Sequence, residues 1–260
     1  MKKHLFLFII CVVIFCAKTY SQMEVRVSKT DSAGLFVFLA PNFIYNIVLA
    51  DLKKEFKNNL AIGTDLGVKM KNNWSIDFGF KYYFGGEVDT NILKSMFKHL
   101  LVDGHFIKQT GEATTEVKFE FRGISFHLQT GKIIPVSKRF LNSGIWLKAG
   151  IGVTQHFINI KNLEDAVPHL RPEYKKGYDR LTLGFSLYQF VGYAHFNKRN
   201  LFCAYAGVEF FENFAKRQRD YDYSLMKKDD TKLFEAMIGF KIGWIIPLYK
   251  HDPNAVFYYR

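Results

Sequence analysis

In the clearest segments of this chain hydropathy alternates residue by residue, with charge on one side of the alternation only. Leu60, Ile62, Thr64, Leu66, Val68 and Met70 take turns with Ala61, Gly63, Asp65, Gly67 and Lys69. Successive side chains of a strand point to opposite faces, so a strand here separates an apolar face from a small or charged one. Lys71-Asn72-Asn73 is a turn signal. Beyond it Trp74, Ile76, Phe78, Phe80 and Tyr82 alternate with Ser75, Asp77, Gly79, Lys81 and Tyr83, which completes a hairpin with one apolar face.

The same pattern recurs along the chain. Ile145, Leu147, Ala149, Ile151 and Val153 oppose Trp146, Lys148, Gly150, Gly152 and Thr154. Leu181, Leu183, Phe185 and Leu187 oppose Thr182, Gly184, Ser186 and Tyr188, and Phe234 to Trp244 repeats the motif. Val117, Phe119 and Phe121 face away from Lys118, Glu120 and Arg122, after which the phase slips at Gly123, as a bulge there would produce. Weaker versions occupy 34–43 and 201–211. About eight strands result, joined alternately by short turns (near 71–73, 136–143 and 197–200) and long loops (near 45–59, 85–115, 157–176 and 213–231). This is the rhythm of an all-β, antiparallel up-and-down transmembrane β-barrel with long outer loops. A soluble barrel points its apolar face inward. Here the apolar face is aromatic enough to meet lipid, and the other face mixes acids with bases. Asp65, Asp77, Lys81, Glu120, Arg122, Lys148, Glu209 and Lys241 are therefore expected to neutralise one another in a plugged lumen.

The N-terminus sets the compartment. Met1-Lys2-Lys3-His4 is a basic start, Leu5 to Ala17 is an apolar run of 13 residues, and Thr19-Tyr20-Ser21 offers small residues at a cleavage site. The expected organisation is a signal peptide over 1–21, a periplasmic segment over 22–33, a barrel over 34–247 and an aromatic periplasmic tail over 248–260. The formal charge is 36 − 24 = +12, but the bases are interspersed with acids. With export, that disfavours nucleic acid as a partner. Three cysteines, two of them in the signal peptide, exclude a disulfide framework.

The last strand carries another cue. Lys241-Ile242-Gly243-Trp244-Ile245-Ile246-Pro247-Leu248 resembles the C-terminal signal by which outer-membrane barrels are recognised for insertion, although Pro247 interrupts it and a tail follows. With the Ser21-Gln22 junction, the segment Lys176-Gly177-Tyr178-Asp179-Arg180-Leu181-Thr182 and the aromatic Phe257-Tyr258-Tyr259, the chain resembles poorly characterised outer-membrane barrel proteins of the Bacteroidota. The resemblance implies location in the outer membrane of a Gram-negative bacterium and, because accessory barrels of that phylum attach to secretion and barrel-assembly machines, a place in an envelope complex. It supplies no catalytic residues.

Chemistry-bearing motifs are sparse. The chain has no GxSxG, HExxH, CxxC or Walker-type loop. His127 and His156 read as interfacial or lumenal residues rather than as catalytic ones. Asp179 and Arg180 read as a loop anchor. Asp220, Asp222, Asp229 and Asp230, interleaved with Arg217, Arg219, Lys227 and Lys228, read as a solvated mixed-charge loop lacking the spacing of a calcium loop. In the second long loop Ile92, Leu93, Met96, Phe97, Leu100 and Leu101 fall at helical spacing and need a surface: the barrel's own loops, lipid or a partner. Those residues and Phe257, Tyr258 and Tyr259 are the candidates for partner contact. The resulting expectation is a cofactor-free, non-enzymatic accessory barrel that meets outer-membrane lipid, lipopolysaccharide and envelope proteins. The alternatives are a lipid-modifying enzyme and a narrow pore.

Overall fold

The computed structural model describes residues 35–103, 105–108, 110–114, 117–137, 140–162, 167–196 and 203–251. The expected signal peptide, the 22–33 segment and the tail residues Phe257, Tyr258 and Tyr259 lie outside them. The barrel strands are β1 (Leu35–Ala50), β2 (Asn59–Lys69), β3 (Trp74–Phe84), β4 (Val117–Ser137), β5 (Phe140–Asn162), β6 (Thr182–Phe196), β7 (Cys203–Arg217) and β8 (Lys232–Trp244). Each pairs antiparallel with its sequence neighbour, and β8 closes on β1 from Asn42↔Gly243 to Ala50↔Glu235. Closure pairs each of the eight strands on both sides through the middle of the wall, so the ladder groups there have partners without water. No described helix is long and apolar enough to cross a membrane.

The faces follow the alternation. Ile62, Phe78 and Phe240 point outward and are 50%, 50% and 51% exposed, while Asp65, Lys81 and Lys241 point inward and are 0–1% exposed. Apolar outside and charged inside is the arrangement of a transmembrane barrel. At 71–73 the chain turns through Asn73 at φ +64°, a conformation asparagine tolerates through its short polar side chain. The Met70 N–H donates to the Trp74 carbonyl at 2.7 Å to close this turn.

The interior has three layers. Toward the short turns, Phe36, Phe38, Ile133, Trp146, Phe190 and Ile245 belong to one buried apolar cluster. Toward the long loops, Ile44, Val48, Tyr83, Phe119, Phe121 and Ile158 belong to another, continued by loop residues Leu52, Phe56, Val88 and Leu170. Charged and polar side chains of β2–β8 fill the space between.

Four expectations change. No bulge occurs at Gly123: the β4–β5 ladder runs in step from Val117↔Asn162 to Pro135↔Gly144. Phe119 and Phe121 therefore point inward, and Glu120 and Arg122 point outward. The apparent slip marks an inversion of environment. Above the membrane the inner face packs under the loops and the outer face meets water. In place of a lumenal role, Glu120 accepts from Arg122 at 2.7 Å and from Lys161 at 2.6 Å on the outer surface of the wall.

Second, β1 continues past Phe43 to Ala50, leaving a first loop of only 51–58 that holds the one-turn helix α1 (Leu52–Glu55). Third, pairing does not stop at Pro247. A further strand, β9 (Ile246–His251), extends along β1 from Leu39↔Ile246 to Leu35↔His251, with a register shift beside Pro247. Proline is tolerated at such an irregularity.

Fourth, α2 (Thr90–Met96) is capped by Asp89, whose carboxylate accepts from the Asn91 N–H at 2.8 Å, but its apolar stripe is not free. Met96 and Phe97 are 1% and 0% exposed, and Ile92, Leu93, Leu100 and Leu101 are partly buried against the same outer cluster. Phe97 packs on Phe106, Phe119 and Tyr178. The stripe needed a surface, and the barrel's own cap supplies it. Met96 and Phe97 are thus core residues of the outer loops, and Ile92, Leu93, Leu100 and Leu101 pack beside them while staying partly open.

Candidate functional site

Within the lumen, Asp65 (β2), Asp77 and Lys81 (β3), Lys148 (β5), Glu209 (β7) and Lys241 (β8) form one alternating chain of charges. Lys148 Nζ lies 2.8 Å from Asp77 and 3.4 Å from Asp65. Lys241 Nζ lies 3.0 Å from Asp65 and 3.9 Å from Glu209. Lys81 Nζ lies 2.6 Å from Glu209. The order Asp77–Lys148–Asp65–Lys241–Glu209–Lys81 begins and ends on β3 and sums to zero. Every member side chain is at most 2% exposed.

Aromatic and amide groups complete the layer. The Tyr188 ring lies under Lys81 at 4.5 Å and the Trp146 ring under Lys148 at 3.9 Å. Tyr205 and Gln129 each donate to Asp65 at 3.4 Å. Glycine makes the room. A Cβ at Gly79 would collide with the Gln129 amide and approach Asp65 Oδ1 to 2.8 Å, and one at Gly239 would come within 2.7 Å of Glu209 Cγ.

Above this layer, His127 Nε2 lies 3.1 Å from Ser186 Oγ, and His156 Nε2 lies 2.8 Å from Glu235, whose other oxygen accepts from Asn213 at 2.7 Å. His127 reaches Ser186 across β5 because residue 152 is glycine: a Cβ there would meet the imidazole. The serine two residues before His127, Ser125, instead contacts Tyr83 at 3.2 Å. Both His127 and Ser186 are 0% exposed. Sequence reasoning missed Tyr188, Trp146, Tyr205 and Gln129 as members of the network, although their inward phase was visible in the alternation.

The outer loops are tied by a second set of ions. Glu55 of α1 accepts from Arg180 at 2.9 Å and also from Arg217, whose Nε lies 3.3 Å from Asp229. Arg219 Nε donates to Asp179 at 2.8 Å, and its Nη2 bonds the other oxygen. Glu55, Asp179, Arg180, Arg217 and Asp229 thereby link the first, third and fourth outer loops. Arg217 and Asp229, read from sequence as solvated, are 5% and 7% exposed, because the fourth loop packs on the third, with the Gln218 and Tyr223 N–H groups donating to the Leu181 and Gly177 carbonyls at 2.9 Å. Asp222 holds a local turn by accepting from the N–H groups of Ser224 and Leu225 at 2.7 and 3.2 Å. Among the described residues no cluster of ligands suits a metal ion.

Burial pushes the Asp229 carboxyl up. The Thr231 hydroxyl and N–H and the Arg217 guanidinium outweigh burial and hold it below its ordinary value. A depressed carboxylate stabilises above its unfolded pKa, about 3.9, and loses that contribution as pH falls through the depressed value. Limited proteolysis is therefore expected to find residues 218–231 protected from pH 7 down to about pH 4 and increasingly cleaved below it. Cleavage that is uniform across this range would remove Asp229 as a fastener.

No protein-family model and no curated protein matches the chain. Among solved structures, Neisserial surface protein A aligns at 8% identity with a TM-score of 0.42, covering 83% of this chain and 99% of that one. The attachment invasion locus protein Ail of Yersinia pestis aligns at 10% identity and 0.44, covering 82% and 99%. The outer membrane protein OprG from Pseudomonas aeruginosa aligns at 12% identity and 0.37, covering 82% and 96%.

Proposed function

We propose that the protein is a non-enzymatic outer-membrane barrel that serves as a structural or accessory subunit of an envelope complex, such as a secretion or barrel-assembly machine. The observation that carries this reading is the sealed lumen. Two apolar clusters close its ends and a neutral charge chain fills its middle. An eight-stranded barrel is just wide enough for its own side chains, and among the described residues the charged side chains of this lumen are at most 2% exposed and the His127–Ser186 pair is buried. What remains available to other molecules is the outer wall and the loop tips, where Tyr174, Tyr221, Leu225 and Met226 are exposed. The ionic links between loops hold that surface in one shape, which suits a platform better than a gate.

Two measurements test the reading. In planar bilayers the folded protein is expected to give no single-channel steps; steady conductance would favour the narrow-pore alternative. Gentle extraction from native membranes is expected to bring envelope proteins down with it in fixed ratio. A barrel that always purifies alone would sink the accessory role.

A further inference from the structure

On the outside of the wall, Lys216 of β7 and Lys232 of β8 stand directly opposite each other in the ladder, and both are exposed. Like charges facing each other across a ladder repel. The relief on hand is small. Asp230 lies 3.0 Å from Lys216 Nζ but also 4.0 Å from Lys228 Nζ, and among the described residues no carboxylate pairs with Lys232. Asp51, at the edge of the same area, is already engaged by Lys54 at 2.8 Å and by the Phe234 N–H at 3.0 Å.

One step toward the membrane, Phe214 opposes Phe234, with ring centroids 5.4 Å apart. Leu183, Phe185 and Val153 continue this apolar floor across β6 and β5. Together with the two lysines these side chains border a groove of about 740 Å³ on the outer surface. Two cations therefore sit at the loop end of a lipid-facing trough.

We propose that this groove binds a phosphorylated lipid of the outer leaflet, with the phosphate between the ammonium groups of Lys216 and Lys232 and an acyl chain lying over Phe214 and Phe234. A free phosphate would answer the charge and leave the groove empty. A neutral lipid would fill the groove and leave the cations opposed. A phosphate carrying an acyl chain answers both, since ion pairs to phosphate are strong and the trough removes apolar surface from water. The site rests on the reading that the long loops face outward from the outer membrane.

Native mass spectrometry of the purified full chain in dodecyl maltoside, titrated with diphosphorylated lipid A, tests it. One lipid is expected to bind per barrel. Lys216→Gln with Lys232→Gln is expected to weaken binding by about tenfold or more, and Lys232→Gln alone by several-fold. Phe214→Ala is expected to weaken it as well. Lys132→Gln, at the opposite end of the wall beside Trp74, is expected to change nothing. Dephosphorylated lipid A should bind as weakly as the double variant sees the phosphorylated form, and inorganic phosphate should not displace the bound lipid. Equal binding by wild type and the double variant overturns the site, as does equal binding of the dephosphorylated lipid. Displacement by inorganic phosphate would reduce the site to a headgroup contact and overturn the acyl groove. Folding is read separately, from faster gel migration of unheated protein. A folded wild type that binds no lipid A ends this proposal and leaves the barrel reading intact, whereas a protein that never gives the fast band ends the barrel reading itself.

Discussion

Replacing Asp65 with asparagine is expected to destabilise the barrel by about 3–5 kcal/mol, the cost of stranding buried charge. The substitution keeps the shape of the side chain and removes the anion between Lys148 and Lys241. Its rescue is the sharper result. The six charges lie in a line, so removing Asp65 together with Lys241 leaves two closed neutral pairs, Asp77–Lys148 and Lys81–Glu209. Asp65→Asn with Lys241→Met should therefore recover most of the loss and fall within about 1–2 kcal/mol of wild type. Asp65→Asn with Lys148→Met should not, because it leaves Asp77 alone and two lysines on Glu209. Urea unfolding in lipid vesicles, followed by tryptophan fluorescence, measures all three. Equal rescue by Lys241→Met and Lys148→Met would mean that the charges act as a diffuse pool rather than as a chain.

How much of this was legible in the residues depends on where each stands along the wall. In β2, β3 and β5 the alternation identified both faces correctly, because those segments lie within the membrane, where outside means apolar and inside means polar. Glu120 and Arg122 were misplaced because β4 runs on above the membrane, where that rule reverses, and alternation shows which residues share a face but not which medium the face meets. The helical stripe from Ile92 to Leu101 showed a need for burial and not its location, since its apolar partners Phe119 and Tyr178 come from other parts of the chain. Membership of the charge network could be read from phase for Asp65, Asp77, Lys81, Lys148, Glu209 and Lys241. Its order could not, because who pairs with whom depends on which strands face each other across the lumen. The glycines at 79, 152 and 239 carried that information, but only once the side chains beside them were known.

On the lipid side of the same wall, Phe240→Lys and Phe78→Lys should each cost about 2–4 kcal/mol if their positions lie near mid-depth. Phe240 stands between Tyr45 of β1 and Val208 of β7 in the ladder, and Phe78 between Leu66 of β2 and Leu128 of β4. Neither has an acid beside it to receive the ammonium. Lysine at Ser75 or Ser186 is no mild control, because both serines are 0–1% exposed in a filled lumen and a longer side chain there would overpack it. The useful contrast is Glu212, which faces outward with Leu187 and Ala236 as its ladder neighbours and makes no hydrogen bond or ion pair among the described residues. A carboxyl on this otherwise apolar outer face has no compensating contact, so Glu212→Leu should stabilise the barrel, by about 1 kcal/mol or more, as Phe240→Lys weakens it. Opposite signs at two outward positions are what an apolar surround produces, and general sensitivity of the wall to mutation would not produce them. If both variants destabilise in vesicles, Glu212 has a partner in the membrane, and the wall around it is an interface. If both are neutral, the face bearing Phe240 is in water, and the inside-out assignment of the barrel fails with it.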